Sequence, residues 1–165
     1  MMDLRQSLSR TKASNSNGAS VPICVTIAGS DSGGGAGIQA DLKTFSALNV
    51  YGASVITAIT AQNTLAVTAV HDIPAEIVAA QIDAVFSDLN VASVKIGMVS
   101  VPETIQAIAK GLAHFSGPVI LDPVMVAKSG DRLLSEPAIS TLRDKLIPLA
   151  CLLTPNRPEA ACLLD

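Results

Sequence analysis

Large rings and charges are both scarce in this sequence. Tryptophan is absent, and one tyrosine and three phenylalanines hold the aromatic share to 2%. Charged residues make up 15% against 49% hydrophobic, with a mean hydropathy of +0.47. Ala, Val, Ile and Leu carry much of that apolarity, which suits parallel strands buried on both faces by helices. No apolar stretch reaches the ~18 residues of a membrane-spanning helix, so no membrane partner is expected. Positive charge is not in surplus either. A formal net charge of −3 gives no electrostatic case for a nucleic-acid partner. The three cysteines, Cys24, Cys151 and Cys162, are odd in number and lack metal-ligand spacing. They read as buried thiols in a reducing compartment. The length of 165 residues suits one domain with a real core.

Residues 1–20 lack the apolar segment of a secretory signal. They are rich in Ser and Asn, with Arg5, Arg10 and Lys12 against Asp3. They are expected to form a disordered polar tail ahead of a domain over residues 21–165. A cytoplasmic location follows, with an organellar transit peptide over residues 1–20 as the alternative.

Glycine is where the sequence is rich. The run Gly29-Ser30-Asp31-Ser32-Gly33-Gly34-Gly35-Ala36-Gly37 follows an apolar strand pattern and precedes a helical one that opens at Ile38. Such a turn lets a ligand approach backbone atoms and leaves helix N-terminal N–H groups free to bind polar groups. A tight turn without a ligand needs fewer glycines. Two familiar phosphate loops are missing, however. The dinucleotide fingerprint counted from Gly33 requires glycine where Ile38 stands, and the Lys43-Thr44 pair follows Leu42 rather than the glycine of a Walker A loop. The run therefore belongs to another kind of site.

Beyond it, apolar runs alternate with helical stripes. Strand patterns cover Ile23–Ala28, Ala53–Ala61, Leu65–Val70, Ser93–Ile96, Pro118–Leu121 and Cys151–Leu153. Helical stripes run through Ile38, Leu42, Phe45 and Leu48; Val78, Ile82, Val85 and Leu89; Ile105, Ile108, Leu112 and Phe115; Ile139, Leu142 and Leu146; and from Arg157 onward. Ser100-Val101-Pro102-Glu103 reads as a capping box. This alternation predicts an α/β fold with a mainly parallel sheet and helices on both faces.

Ligands of such sheets sit at the carboxyl ends of the strands. Polar residues cluster there: the glycine run, Gln62-Asn63-Thr64, Gly97-Met98, Asp122-Pro123-Val124-Met125, and Thr154-Pro155-Asn156-Arg157-Pro158-Glu159. Several elements carry two readings. Asp41 either answers the dipole at the start of its helix or serves a ligand. Gln62 either caps a loop or pairs with a heterocycle edge. Met98 either fills core or walls a pocket. Asp122 ends an aliphatic strand, where a lone carboxylate is costly, so it is expected to face a cation or donors. Asn156 and Glu159 form a capping box or aim at a metal–phosphate group. The loop over residues 126–131 either swings Lys128 to phosphate or is merely solvated.

These stretches together resemble the hydroxymethylpyrimidine and phosphomethylpyrimidine kinases of thiamine biosynthesis, of the ribokinase-like group. The resemblance runs from residue 23 to 165. It rests on residues 27–44, Ala61-Gln62-Asn63-Thr64, Lys95-Ile96-Gly97-Met98, Leu121-Asp122-Pro123-Val124-Met125 and Thr154-Pro155-Asn156-Arg157-Pro158-Glu159. It implies transfer of phosphate from ATP, with Mg2+, to 4-amino-5-hydroxymethyl-2-methylpyrimidine and then to its monophosphate. It further implies a small-molecule pyrimidine partner and a homodimer in the full-length form. By position, Gly29, Asp41, Gln62, Met98 and Val124 correspond to the pyrimidine pocket. Asp122 and Glu159 correspond to the metal neighbourhood, and Asn156, Asp122 and Lys128 to the ATP phosphates. The family also carries a later Gly-Thr-Gly-Cys-type segment that supplies the base. These 165 residues hold no Gly-Thr-Gly stretch. No catalytic residue is therefore assigned. The expectation is an N-terminal portion truncated before its C-terminal strands, impaired on its own. Pyridoxal or pyridoxine kinase activity, or a non-catalytic pyrimidine-binding or dimerising remnant, are the alternatives.

Overall fold

A computed structural model describes residues 21–125 and 134–164. The expectations for the N-terminal tail and for Lys128 lie outside the described residues. Among the described residues there are seven strands: β1 (Ile23–Ala28), β2 (Tyr51–Ile56), β3 (Ala58–Gln62), β4 (Val67–Asp72), β5 (Ser93–Ile96), β6 (Val119–Leu121) and β7 (Leu152–Leu153). The α-helices are α1 (Gly37–Ala47), α2 (Ala75–Asp88), α3 (Pro102–Gly111), α4 (Glu136–Lys145) and α5 (Arg157–Leu164). The main sheet has the order β2-β1-β5-β6-β7, and every pairing in it is parallel.

Alternation along β1 explains the two helical layers. Val25 and Ile27 join Val94 and Ile96 of β5 on the face packed against Val78, Ile82, Ile105 and Ile108 of α2 and α3. Thr26 points the other way and donates to Asp41 of α1 at 2.6 Å. Helices thus cover both faces, as predicted. The apolar core lies on the α2–α3–α4 side, where Ile27, Ile82, Ile105, Ile108 and Leu121 are fully buried. With so few rings available, one aromatic contact closes the lower end, Phe86 edge-on to Phe115 at 5.5 Å between centroids.

Helix boundaries follow local chemistry. α1 ends in a Schellman arrangement: Val50 N–H bonds to Phe45 C=O at 2.8 Å and Asn49 N–H to Ser46 C=O at 3.1 Å. Asn49 takes the left-handed conformation this requires, at φ 56°. The predicted capping box at Ser100 is not formed. Val101 is the N-cap of α3 and makes no side-chain cap bond, while Ser100 turns its hydroxyl to Asp72 at the base of β4. Proline at the first helical position, Glu103 in the first turn and Lys110 in the last set this helix instead.

The apolar run predicted as one strand, Ala53–Ala61, breaks at Thr57. Thr57 is buried and donates its hydroxyl to Met98 C=O at 2.8 Å. Ala28 C=O accepts its N–H and its own C=O accepts from Ile73, so the backbone turns out of the sheet there. β3 and β4 then form a separate antiparallel hairpin above the carboxyl ends of β1 and β5. The thiol expectation also needs correction. Cys24 and Cys162 are half-buried and Cys151, next to a two-residue strand, is exposed. Among the described residues no helix is long and apolar enough to cross a membrane.

At the end of β2, Gln81 of α2 takes the place of a missing strand. Its Oε1 accepts from Ile56 N–H at 2.9 Å and its Nε2 donates to Ile56 C=O at 3.1 Å. Gln81→Ala leaves both groups unpaired in a half-buried setting. It is expected to cost about 1–3 kcal/mol, read as a lower melting temperature.

Candidate functional site

The polypeptide leaves β1 for β2 on one side, while β5 lies on the other side of β1. The crevice between the ends of β1 and β5 is therefore a topological switch point. A cavity of about 570 Å3 opens there, roofed by the hairpin. Gly29, Asp41, Gln62, Met98, Val124 and Asp122 all line it. That unites the five residues expected at the pyrimidine pocket with one expected at the metal. Its size lies within the ~300–1,000 Å3 typical of small-molecule sites.

The glycine-rich loop turns the N–H groups of Gly33, Gly34, Gly35 and Ala36 inward, to Asp31 rather than to a ligand. Asp31, only 5% exposed, fills the position. Its carboxylate accepts from Gly33 N–H at 2.8 Å, Gly35 N–H at 2.9 Å and Ala36 N–H at 2.8 Å. Burial alone acts to raise the Asp31 pKa, but these N–H groups together outweigh it, and the carboxyl sits below its ordinary value. The loop then shapes the cavity wall. Gly37 opens α1 at φ 55°, and a β-carbon there would stand 2.3 Å from Gly29 C=O, which accepts from Ile38 N–H. Only glycine satisfies both demands. Opposite, Met98 comes so close to Gly29 that a β-carbon on Gly29 would meet its Cε at 2.6 Å. Met98 is thus a pocket wall packed on bare backbone.

Asp41 lies beyond the first turn of α1, so the helix-start dipole does not explain it. Its Oδ2 accepts from Thr26 Oγ1 at 2.6 Å and from Lys95 Nζ at 3.1 Å. Oδ1 makes no hydrogen bond among the described residues, and Asp41 lines the cavity. Lys95 carries no role in the sequence-based expectation, although a signal was present: a lysine alternating with Val94 and Ile96 in a buried strand. In register, Lys95 sits beside Thr26 of β1 and Ile120 of β6, which aims it at the α1 face. Its ammonium also reaches Asp122 Oδ2 at 3.9 Å. Asp122 thus faces the cation expected of it.

The Asp122 pKa is raised. Burial is the largest cause, and the negative charges of Glu159 and Asp41 add to it, against Lys95 and a bond with the Thr154 hydroxyl. Asn156 and Glu159 do form the capping box of α5: Glu159 Oε2 accepts from Asn156 N–H and Asn156 Oδ1 accepts from Glu159 N–H, each at 2.9 Å. The free oxygen of Glu159, Oε1, accepts weakly from Met125 N–H at 3.4 Å. Glu159 is buried, whereas Asn156 is exposed and outside the cavity lining. Capping explains the spacing, and the surplus of negative charge at Asp122 is what capping leaves unexplained. Among the described residues no group of three or more His, Cys, Asp and Glu side chains stands ready to hold a metal. Asp122, which lines the cavity beside the negative charge of Glu159, does fit a magnesium ion, which takes one or two protein carboxylates and completes its shell with water and phosphate oxygens.

Gln62 ends β3 with an amide that is nearly free. Its Oε1 lies 3.3 Å from Thr60 Oγ1, whose hydroxyl hydrogen is already directed to Ser30 C=O at 2.8 Å. Its Nε2 makes no hydrogen bond among the described residues. The amide can therefore both donate to and accept from a heterocycle edge.

Comparison with known proteins agrees with this geometry. A family model described as phosphomethylpyrimidine kinase matches residues 31–165. A hydroxymethylpyrimidine/phosphomethylpyrimidine kinase from Rhizobium meliloti is 68% identical over 141 residues, covering 86% of this chain and 53% of its own. The crystal structure of a phosphomethylpyrimidine kinase from Clostridium difficile superposes with a TM-score of 0.81 at 55% identity, over 86% of this chain and 62% of that one. An ADP complex of Bacillus subtilis pyridoxal kinase gives a TM-score of 0.77 at 39% identity, over 87% of this chain and 55% of that one. The chain spans about half the length of the curated relatives it matches.

Two aspartates at this site are predicted to act on stability with opposite signs. Asp31 has a lowered pKa, so its contribution is present above the ordinary carboxylate range and is lost as pH falls through its folded value. Asp31→Asn should cost about 1–3 kcal/mol at neutral pH, and less in acid. Asp122 has a raised pKa, so its ionisation disfavours the fold progressively as pH rises from the ordinary carboxylate value to the raised folded one, and fully above it. Asp122→Asn should raise the melting temperature at neutral pH and leave it unchanged in acid. Thermal melts across pH read both.

Proposed function

The chain belongs to the phosphomethylpyrimidine kinase family, and we propose that the intact protein uses ATP to phosphorylate 4-amino-5-hydroxymethyl-2-methylpyrimidine and then its monophosphate. The observation that carries this reading is that Gln62, Asp41 and Asp122 line one cavity. Gln62 pairs its amide with the amino edge of the ring. Asp41, held by Thr26 and Lys95, offers its second oxygen to the same ligand. Gly29 and Met98 form a thin apolar wall on which a flat ring can lie. Val124 closes the side nearest Asp122. The ring's hydroxymethyl group is then directed toward Asp122.

The hydroxymethyl oxygen attacks the γ-phosphorus of ATP, the bond from that phosphorus to its bridging oxygen breaks, and ADP leaves as the hydroxyl proton is released. Such transfers depend on positioning and on charge neutralisation. Asp122 and Glu159 are the residues that would hold Mg2+, which when bound supplies positive charge to the phosphate oxygens. Asn156 borders the phosphate end through its cap with Glu159. Lys128 is proposed to approach the phosphates from its loop. A homodimer and a cytoplasmic location complete the proposal. Exposed apolar residues such as Leu48, Tyr51 and Ile59 are consistent with a covered face.

Assay of the intact protein with ATP, Mg2+ and the pyrimidine tests this. Phosphorylated pyrimidine and ADP are expected in equal amounts. Gln62→Ala should raise KM about tenfold with a smaller change in kcat. Asp122→Asn should lower kcat about a hundredfold or more. Faster turnover of pyridoxal than of the pyrimidine, or no turnover of either, would overturn the assignment.

A further inference from the structure

We infer that Ser32 is a positioning residue that sets how the site reads the amino edge of its acceptor, an inference that rests on the function proposed above. One hydroxyl serves one residue twice. Ser32 Oγ donates to the backbone carbonyl of Gln62 at 2.6 Å and accepts from the backbone N–H of the same residue at 2.7 Å. A hydroxyl has one donor hydrogen and two acceptor lone pairs, so both bonds form together. The clasp does for Gln62 what a neighbouring strand would do.

That help is needed at this point of the hairpin. The β3–β4 pairing is regular from Ala58 to Ala61, and its register shifts between Ala61 and Gln62. A shifted ladder leaves the residue at the break less well fixed by its partner strand. Among the described residues, the one hydrogen-bond contact of the Gln62 side chain is the 3.3 Å approach of Thr60 Oγ1. The direction of the amide therefore depends on where the backbone of residue 62 is held.

The clasp is as stiff as the loop that carries it. Ser32 follows Asp31, whose carboxylate takes three N–H groups of the glycine-rich loop and whose own N–H donates to Gln39 Oε1 of α1 at 2.8 Å. The anchor of Gln62 thus runs through Ser32 and Asp31 into a helix. Ser32 is itself exposed, so its hydroxyl contributes no core packing. Its effect is confined to residue 62, and hence to the part of the ligand that residue 62 reads.

The test compares two rings by calorimetric binding to the intact protein. One is 4-amino-5-hydroxymethyl-2-methylpyrimidine, the other the same ring without the 4-amino group. Ser32→Ala should weaken the aminopyrimidine about tenfold and leave the second ring within about twofold, while Ser32→Thr, which keeps the hydroxyl, should restore the difference. Hydrogen exchange at the Gln62 amide should quicken in Ser32→Ala and recover in Ser32→Thr. Equal weakening of both rings would mean a general structural role and overturn the inference, as would unchanged affinity or unchanged exchange. No binding of either ring by the unaltered protein would overturn the proposed function and this inference with it.

Discussion

Asp31 and the N–H groups it gathers hold the rest of the site in place. A helix N-terminus preceded by glycines attracts anions, and here the protein supplies its own. The carboxylate satisfies donors that would otherwise lie unpaired beside a cavity. Once they are satisfied, the loop has a fixed course. Gly37 can then run against Gly29 C=O, Ser32 can reach the hairpin, and Gly29 can present bare backbone to Met98. The feature that looks most like a phosphate loop is thus a wall of the cavity. Its Gly33, Gly35 and Ala36 N–H groups already hold an anion, and the proposed function sets the phosphates near Asp122 instead.

Charge is distributed along that cavity in a graded way. Lys95 rises from the central strand and bonds closely to Asp41, at 3.1 Å, and loosely to Asp122, at 3.9 Å. Asp41 is therefore compensated twice, by the lysine and by the Thr26 hydroxyl. Asp122 has one distant ammonium, shared with Asp41, and the negative charge of Glu159 nearby. The first carboxylate is suited to a neutral polar ring, the second to an incoming cation. One half-buried lysine in a parallel strand sets both behaviours.

Much of this was legible in the sequence, for physical reasons. Fully apolar strands and 3.6-residue stripes produced the α/β layout. The rule that ligands sit at strand ends placed Gly29, Gln62, Met98 and Asp122 in one region before any coordinates. The hairpin was not legible. Ala53–Ala61 is continuous in apolarity, and the turn at Thr57 is made by contacts to Ala28, Ile73 and Met98, which lie far away in sequence. Asp31 carried no separate reading within the glycine run, because an acceptor for several N–H groups has no sequence spacing of its own. Lys95 was visible as an anomaly, a charge within a buried strand, but its partners come from α1 and from the end of β6. The box at Ser100 fitted its pattern and failed because Asp72 competes for the hydroxyl.

The central claim is that the cavity holds a pyrimidine with its amino edge at Gln62 and its hydroxymethyl group toward Asp122. A crystal structure of the intact protein with 4-amino-5-hydroxymethyl-2-methylpyrimidine measures this directly. The account predicts the Gln62 amide and Asp41 Oδ1 within hydrogen-bonding distance of the ring, the ring flat against Gly29 and Met98, and the hydroxymethyl oxygen on the Asp122 side. A ring bound elsewhere, or bound here with its hydroxymethyl group turned away from Asp122, would contradict it.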